Sequence, residues 1–215
     1  MAERPVFIPV CEGARTFMEV PVSFPWHPGM APSQKKKNVA ELHAAAAARG
    51  LERLLEISTK SERAIGQRLS AFHQRVALTD GLFPLESVYQ ASKVFVDGGP
   101  YTDLLAAPPR EAKRDERLRE SGNLVAFELE GARYPLDPPT VYYDWLYMRC
   151  LYPERDWLRR LERLDGFTDI EFNPARSLNC QARACASFVG LEARGQLDEA
   201  MTSFAAFTGF QSGNL

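Results

Sequence analysis

The chain of 215 residues lacks the short motifs that mark several common classes of enzyme. It contains no Gly-x-Gly-x-x-Gly, no phosphate-loop Gly-Lys-Ser and no Gly-x-Ser-x-Gly. The sequence therefore gives no indication of a dinucleotide-binding dehydrogenase, a P-loop kinase or a serine hydrolase of the α/β class.

Cysteine and histidine are scarce and scattered along the chain. The four cysteines, Cys11, Cys150, Cys180 and Cys185, form no Cys-x-x-Cys pair, and the three histidines lie far from one another and from the cysteines. This spacing does not suit a zinc site, and we expect neither a metal nor another cofactor. Scattered cysteines without a signal peptide are typical of reduced thiols in the cytoplasm.

Long apolar runs are also missing, and neither sign of charge dominates. No run approaches the roughly 20 apolar residues that cross a bilayer, so we expect no contact with a membrane. The formal net charge is -2 at pH 7, which means that the molecule as a whole does not attract DNA. Any contact with nucleic acid must come from a local basic patch.

Lys35, Lys36 and Lys37 form the basic patch with the fewest acidic neighbours, and they are candidate contacts for phosphate. An exposed lysine run without a role is the alternative. The basic stretches 110–119 and 155–163 are interleaved with acidic residues, which is typical of solvated helix faces.

With 45% hydrophobic and 25% charged residues, the chain has the composition of an ordinary globular protein. We expect one mainly helical α+β domain over residues 1–215. The periodicity predicts hairpins over residues 5–26 and 124–136 and a short strand over residues 54–58. It predicts helices over residues 33–50, 61–72, 84–95, 110–120 and 140–164, a loop over residues 165–174, and a further helix that begins at Ser177.

A carboxylate, a phenol, an amide and an amine lie close together in residues 83–93, which read Phe-Pro-Leu-Glu-Ser-Val-Tyr-Gln-Ala-Ser-Lys. If Pro84 opens a helix, Glu86, Gln90 and Lys93 fall at i, i+4 and i+7 on one side. A solvated helix face with an ion pair explains the same spacing. The glycine pair at positions 98 and 99 favours a function, because it frees backbone N–H groups that cradle an anion such as phosphate.

Residues 69–72, Leu-Ser-Ala-Phe, and residues 85–93 together resemble the NADAR superfamily, whose members pair a Ser-Asn-Phe type segment with Glu-x-x-Tyr-Gln-x-x-Lys. Motifs at residues 24–29, 33–38, 55–61 and 169–174 resemble one branch, the NADAR antitoxins associated with DarT-type DNA ADP-ribosyltransferase toxins. The resemblance covers about residues 4–200. Two positions depart from the pattern: Ala71 replaces an asparagine of many members, and Lys36 lies in a run that often reads Gln-Lys-Gln-Lys-Asn.

This resemblance implies an enzyme that removes ADP-ribose from guanine bases in DNA. It implies ADP-ribosylated DNA, ADP-ribose and a DarT-type toxin as partners. It also implies an imine between a lysine and the opened ribose, which needs an amine kept neutral by burial or by a nearby cation. Glu86 is the candidate carboxylate, Lys93 is the first candidate lysine, and Lys36 is the second.

The remaining candidates would hold the substrate. An aromatic ring can stack on guanine and an amide can read its edge or hold a ribose hydroxyl. The candidate substrate-binding residues are Ser70, Phe72, Tyr89, Gln90, Gly98, Gly99, Tyr101, Asn179 and Arg183, with Lys35 and Lys37 as contacts to nucleic acid.

Two other functions fit the same sequence. The first is an N-glycosidase that acts on a small phosphoribosylamino pyrimidine. The second is a non-catalytic module that binds ADP-ribose, in which Lys93 takes part in an ordinary ion pair.

Overall fold

The computed structural model describes residues 1–175, 177–211 and 213, and the chain divides into two compact units. Unit 1 comprises Met1–Ser70 and Glu154–Leu215, and unit 2 comprises Ala71–Pro153. Helices predominate over strands, which confirms the predicted mainly helical α+β class. The prediction of a single domain over residues 1–215 stays a prediction.

Unit 1 is built on a four-stranded sheet with the strand order β2-β1-β9-β3, numbered along the chain. Its strands are β1 (Ala2–Pro9), β2 (Phe17–Phe24), β3 (Leu54–Glu56) and β9 (Gly166–Thr168). β1 and β2 form the predicted antiparallel hairpin, whereas β3 and β9 run parallel. The carboxyl ends of β3 and β9 therefore meet at one edge of the sheet.

Helices cover this sheet. They are α1 (Pro32–Ala47), α2 (Ala64–Arg68), α7 (Arg155–Leu158), α8 (Gln181–Ala193), α9 (Leu197–Ala200) and α10 (Phe204–Gln211), with a 3-10 helix over Arg159–Arg163. Val39, Leu42 and Ala46 of α1 share one face and pack against Val6 and Val22 of the sheet. This apolar cluster is the core of the N-terminal half of unit 1.

Unit 2 contains two small sheets and several short helices. Its strands are β4 (Arg75–Leu78), β5 (Gly81–Pro84), β6 (Lys93–Phe95), β7 (Leu124–Leu129) and β8 (Ala132–Tyr134). Its helices are α3 (Leu85–Ala91), α4 (Pro109–Ala112), α5 (Arg117–Glu120) and α6 (Val141–Leu151), with 3-10 helices at Thr102–Ala106 and at Tyr152–Glu154 after α6. β4 pairs with β5, and β6, β7 and β8 form a second antiparallel sheet.

The hairpin of β7 and β8 confirms the prediction for residues 124–136. Its two-residue turn places Glu130 and Gly131 at φ values of 52° and 75°. Positive φ at both positions is what a type I′ turn requires, and glycine adopts it without steric cost. The hairpin of β4 and β5 is an addition to the elements predicted from the sequence.

Several predicted boundaries are wrong. The helix expected over residues 84–95 ends at Ala91, because Lys93–Phe95 pairs with β7 as a strand. Ser33 does not cap α1; Pro32 is its first residue and Ala31 provides no side-chain cap. The helix expected over residues 61–72 is only Ala64–Arg68.

Two further boundaries near residue 170 also differ. The expected loop 165–174 contains β9, and the helix expected from Ser177 begins at Gln181. β9 forms because it pairs with β3 and β1, which lie more than a hundred residues away in the chain. Among the described residues, none of the helices combines the length and the apolar character that a membrane crossing needs.

Candidate active site

Helix α3 of unit 2 carries the signature residues, and neighbouring segments fix both of its ends. At its start, the Leu85 N–H donates to the Gln74 carbonyl at 3.0 Å, and at its end, the Tyr101 N–H donates to the Ala91 carbonyl at 2.9 Å. Leu85, Val88 and Ala91 are fully buried. The apolar face therefore anchors α3, and the polar face is left for Glu86 and its neighbours.

Glu86 lies half-buried in the first turn of α3. Tyr143 of α6, which is only 5% exposed, donates its hydroxyl to Glu86 Oε1 at 3.0 Å. The Tyr143 ring packs edge-on against the Tyr89 ring, with 5.2 Å between their centroids. A buried tyrosine thus fixes the direction of the Glu86 carboxylate.

Lys93 lies at the start of β6, but its side-chain amine contacts residues of α3. Lys93 Nζ donates to Gln90 Oε1 at 2.7 Å and lies 4.9 Å from the centroid of the Tyr89 ring. Burial lowers the pKa of Lys93; the negative charge of Glu86 opposes this shift and the positive charge of Lys113 adds to it. The amine is therefore closer to its neutral, nucleophilic form than that of a solvated lysine.

A pocket of about 440 Å³ opens beside Glu86. Its lining contains Phe72, Pro109 and the three cationic residues Arg110, Lys113 and Arg114 from α4 and the segment that follows it. Phe72 is 55% exposed, which is unusual for a large apolar side chain and leaves its ring available for stacking. The pocket therefore joins one carboxylate to a cationic wall and an aromatic ring.

Another cavity of unit 2, about 380 Å³ in volume, lies near the C-terminal end of α3. Its lining includes Phe83, Leu105 and Leu129, but neither Glu86 nor Lys93. We assign the candidate site to the pocket beside Glu86, because Glu86 and Lys113 of its lining are the charged groups that act on the pKa of Lys93.

The turn with Gly98, Gly99 and Tyr101 packs tightly on its own neighbours. A Cβ at Gly98 would lie 2.3 Å from the Tyr101 hydroxyl, and one at Gly99 would lie 2.3 Å from the Lys93 carbonyl oxygen. The Tyr101 hydroxyl bonds to Ser121 Oγ. These contacts explain both glycines structurally, and a role for this turn in holding pyrophosphate stays a prediction.

The other predicted residues lie in unit 1. Lys35 lies over the Trp26 ring at 5.8 Å, whereas Lys36 and Lys37 are exposed, and Lys36 borders a small cavity of that unit. Ser70 is fully buried, and among the described residues its Oγ has no hydrogen-bond partner.

Asn179 and Arg183 also belong to unit 1, where they make contacts typical of a helix start. The Asn179 carbonyl accepts a hydrogen bond from Ser177 Oγ at 3.3 Å, and Arg183 Nη1 donates to the Leu178 carbonyl at 2.8 Å. A role of either residue in binding substrate stays a prediction.

Sequence reasoning missed Tyr143 and the cations of the pocket. Arg110, Lys113 and Arg114 are exposed as expected, but α4 turns them toward the pocket of Glu86. A local signal existed, because three cations within five residues follow a proline pair. Tyr143 had no such signal, since it lies in an aromatic run that also forms the core. Within the described part of the chain, no group of three or more metal-binding side chains could hold an ion.

Comparison with known proteins gives one finding. The profile of a protein family described as DarT1-associated NADAR antitoxin matches residues 2–214. Among curated proteins, no sequence matches the chain significantly. The family match covers nearly the whole chain and confirms the resemblance that the motifs indicated.

Proposed function

The chain belongs to the DarT1-associated NADAR antitoxin family, and we propose that it carries out this antitoxin role by removing ADP-ribose from guanine bases of DNA. In the proposed reaction, water adds across the C1′–N bond between ribose and guanine. Guanine keeps the bonding electron pair and gains a proton, and C1′ gains a hydroxyl group. The products are unmodified DNA and free ADP-ribose.

Lys93 is the proposed nucleophile. Its neutral amine attacks C1′ while the bond to guanine breaks, and guanine leaves with the electron pair and takes up one proton of the amine. The ribose ring then opens as the C1′–O4′ bond breaks, O4′ takes up the second amine proton, and a neutral imine remains between Lys93 and C1′. Water then adds to the imine carbon, and its hydrolysis returns the free amine and ADP-ribose. The observation that most supports this role is the half-buried Lys93 amine, which lies 2.7 Å from Gln90 Oε1 and is subject to the charge of Lys113.

Glu86 is the proposed acid–base group. A carboxylate at this point stabilises the positive charge that develops at C1′, and it carries protons between the amine, guanine and water. The hydrogen bond from Tyr143 holds it in one orientation. Because Glu86 is half-buried beside an open pocket, it remains accessible to the ligand.

The pocket wall accounts for the choice of ligand. Arg110, Lys113 and Arg114 supply cations for the pyrophosphate of ADP-ribose or for DNA phosphates, and Phe72 supplies a ring on which a base can stack. These local cations offset a chain whose net charge is -2. In this proposal, the protein meets its substrate, ADP-ribose and the DarT1 toxin in the cytoplasm.

The direct test is turnover of a guanine-ADP-ribosylated DNA oligonucleotide, followed by loss of the adduct on a gel. Wild type should remove the adduct, whereas Glu86→Gln and Lys93→Ala should not. Arg15→Met, which changes an exposed cation outside the pocket, serves as a control that should remain active. Circular dichroism should show that all variants fold.

The same assay separates the two alternatives. A small-molecule N-glycosidase would leave the oligonucleotide intact and would cleave a phosphoribosylamino pyrimidine instead. A non-catalytic module would bind ADP-ribose without loss of the adduct, and Glu86→Gln and Lys93→Ala would retain the antidote effect against the toxin in cells. Either result would refute the proposed reaction.

A further inference from the structure

A buried carboxylate lies at the edge of the sheet in unit 1, apart from any residue of the proposed reaction. Glu56 ends β3 and is 2% exposed, and Thr168 lies opposite it in the parallel strand β9. Ligand sites are common at the carboxyl ends of parallel strands, because the connecting loops open there. A cavity of about 110 Å³ lies at this edge, with Glu56 in its wall.

The hydrogen bonds of Glu56 fill three of the four positions on its two oxygens. Its Oε1 accepts from Ser58 Oγ at 2.6 Å and from the Ile170 N–H at 2.9 Å, and its Oε2 accepts from Thr168 Oγ1 at 2.7 Å. A carboxylate offers about four lone-pair positions. Burial, aided by the charge of Asp169, raises the pKa of Glu56 to about 8, so the group is largely protonated at pH 7. The fourth position, on Oε2, then offers this proton to a hydroxyl oxygen in the cavity.

His43 extends this arrangement across the cavity wall. His43 Nε2 lies 2.9 Å from Thr168 Oγ1. Because Thr168 gives its only proton to Glu56, its oxygen must accept from His43, which assigns the proton of a neutral His43 to Nε2. Burial lowers the pKa of His43 to about 4, so the ring is neutral at pH 7. The polar wall is therefore ordered before any ligand enters.

The mouth of the cavity carries two cationic side chains. Lys36 and Arg63 line it, both side chains are exposed, and in the described part of the chain neither forms an ion pair. Glu62 is the one other charged residue at the mouth. Ser61 Oγ, which is buried in the wall, accepts the Arg63 N–H at 3.3 Å and keeps its own proton for a ligand.

Size and lining decide the kind of ligand. The apolar part of the wall is aliphatic, from Val39, Ala40 and Leu54, and it offers no Phe, Tyr or Trp ring for a base. Since a water molecule occupies about 30 Å³ of liquid, the cavity holds a few waters or one small sugar ring. Two groups inside that can bind hydroxyls, Glu56 and Ser61, and two cations at the mouth match a sugar that carries phosphate.

We propose that this cavity is a second ligand site, which binds a phosphorylated pentose with its hydroxyls on Glu56 and Ser61 and its phosphate between Lys36 and Arg63. The proposal is independent of the reaction at Lys93. The pentose phosphate can be free or part of a nucleotide, and the two sources share this chemistry.

Calorimetric titration with ribose 5-phosphate tests the site. Wild type should bind it, whereas ribose alone and inorganic phosphate alone should each bind at least about tenfold more weakly, since each loses several charge-assisted or hydroxyl hydrogen bonds. ADP-ribose as a second probe shows whether a nucleotide is preferred to the free sugar phosphate. No detectable binding of either probe would overturn the proposal.

Variants locate the binding. Lys36→Met and Arg63→Met should each weaken binding of ribose 5-phosphate about tenfold. Glu56→Gln should weaken it similarly, because an amide nitrogen in place of Oε2 cannot accept the Thr168 proton and so disturbs the polar wall. Arg15→Met, which changes an exposed cation outside the cavity lining, should leave the affinity unchanged. NMR signals of the His43 ring should shift during the titration of wild type.

Some results of these measurements would overturn either the proposed second site or the proposed function. Equal affinity in wild type and in Lys36→Met/Arg63→Met would overturn the site, even if Glu56→Gln fails to fold. Loss of binding in Lys93→Ala alone would assign the ligand to the pocket of unit 2 instead. Normal binding in Lys93→Ala together with failed adduct removal by wild type would refute the proposed function and leave this site standing.

Discussion

Replacing Tyr143 by phenylalanine tests the geometry of the proposed active site by removing a single oxygen atom. In Tyr143→Phe the ring keeps its place against Tyr89, with 5.2 Å between centroids in the native protein, while the hydroxyl bonded to Glu86 at 3.0 Å is lost. The variant therefore leaves the packing of α3 and α6 intact and frees the carboxylate.

The expected magnitude follows from that hydrogen bond. A hydrogen bond to a charged group is worth about 1.5–3 kcal/mol, and water can replace part of it because Glu86 is half-buried. We expect a loss of about 1.4 kcal/mol of transition-state stabilisation, which is about tenfold in kcat/KM. The free energy of unfolding should fall by about 1 kcal/mol or less, or about 2–4 °C in Tm.

The assay is steady-state removal of ADP-ribose from the guanine adduct, beside thermal denaturation. Tyr134→Phe serves as the control, since Tyr134 also belongs to the aromatic cluster of unit 2 but its ring packs at a tilt against Tyr142, with 5.0 Å between centroids. Tyr134→Phe should keep the wild-type kcat/KM. Equal activity of Tyr143→Phe and wild type would refute the idea that this hydroxyl positions Glu86.

Three further changes have expected results. Lys113→Met should raise the pKa of Lys93, because the Lys113 charge helps to lower it. The rise of kcat with pH should therefore move to higher pH, and an unchanged profile would contradict the role of Lys113. Phe72→Leu should raise KM about tenfold, since stacking of one base is worth about 1–3 kcal/mol, and it should barely change Tm because Phe72 is 55% exposed. Gly66→Ala should destabilise the protein by about 1–3 kcal/mol in chemical denaturation, since its Cβ would lie 2.1 Å from the Glu56 carbonyl oxygen; wild-type stability would show that α2 can move away.

Residues 83–93 show how much of the candidate site the local sequence pattern could predict. The spacing of Glu86, Gln90 and Lys93 indicated one functional face, and the structure brings Lys93 Nζ to 2.7 Å from Gln90 Oε1. The helix nevertheless stops at Ala91, and Lys93 reaches α3 from a strand. The pairing of Lys93 with Phe127 ends the helix. A contact between residues so far apart in the chain cannot be predicted from helical periodicity.

Glu56 illustrates a signal that was present but not used. An acidic residue between Leu55 and Ile57 interrupts an apolar run of strand length, and a charged residue is almost never fully buried without partners. Two of those partners, Thr168 at the end of β9 and Ile170 just after it, lie in a stretch that the sequence predicted to be a loop. The burial of Glu56 was therefore predictable in principle, whereas the identity of its neighbours was not.

The most direct test of the central claim is reductive trapping of the proposed imine. Borohydride added to wild type during cleavage of guanine-ADP-ribosylated DNA would reduce the imine to a stable secondary amine. Mass spectrometry of the digested protein should then find an ADP-ribose adduct on the peptide that contains Lys93, and Glu86→Gln should give less of it. An adduct on Lys36, or efficient cleavage without any adduct, would contradict the assignment of Lys93 as the nucleophile.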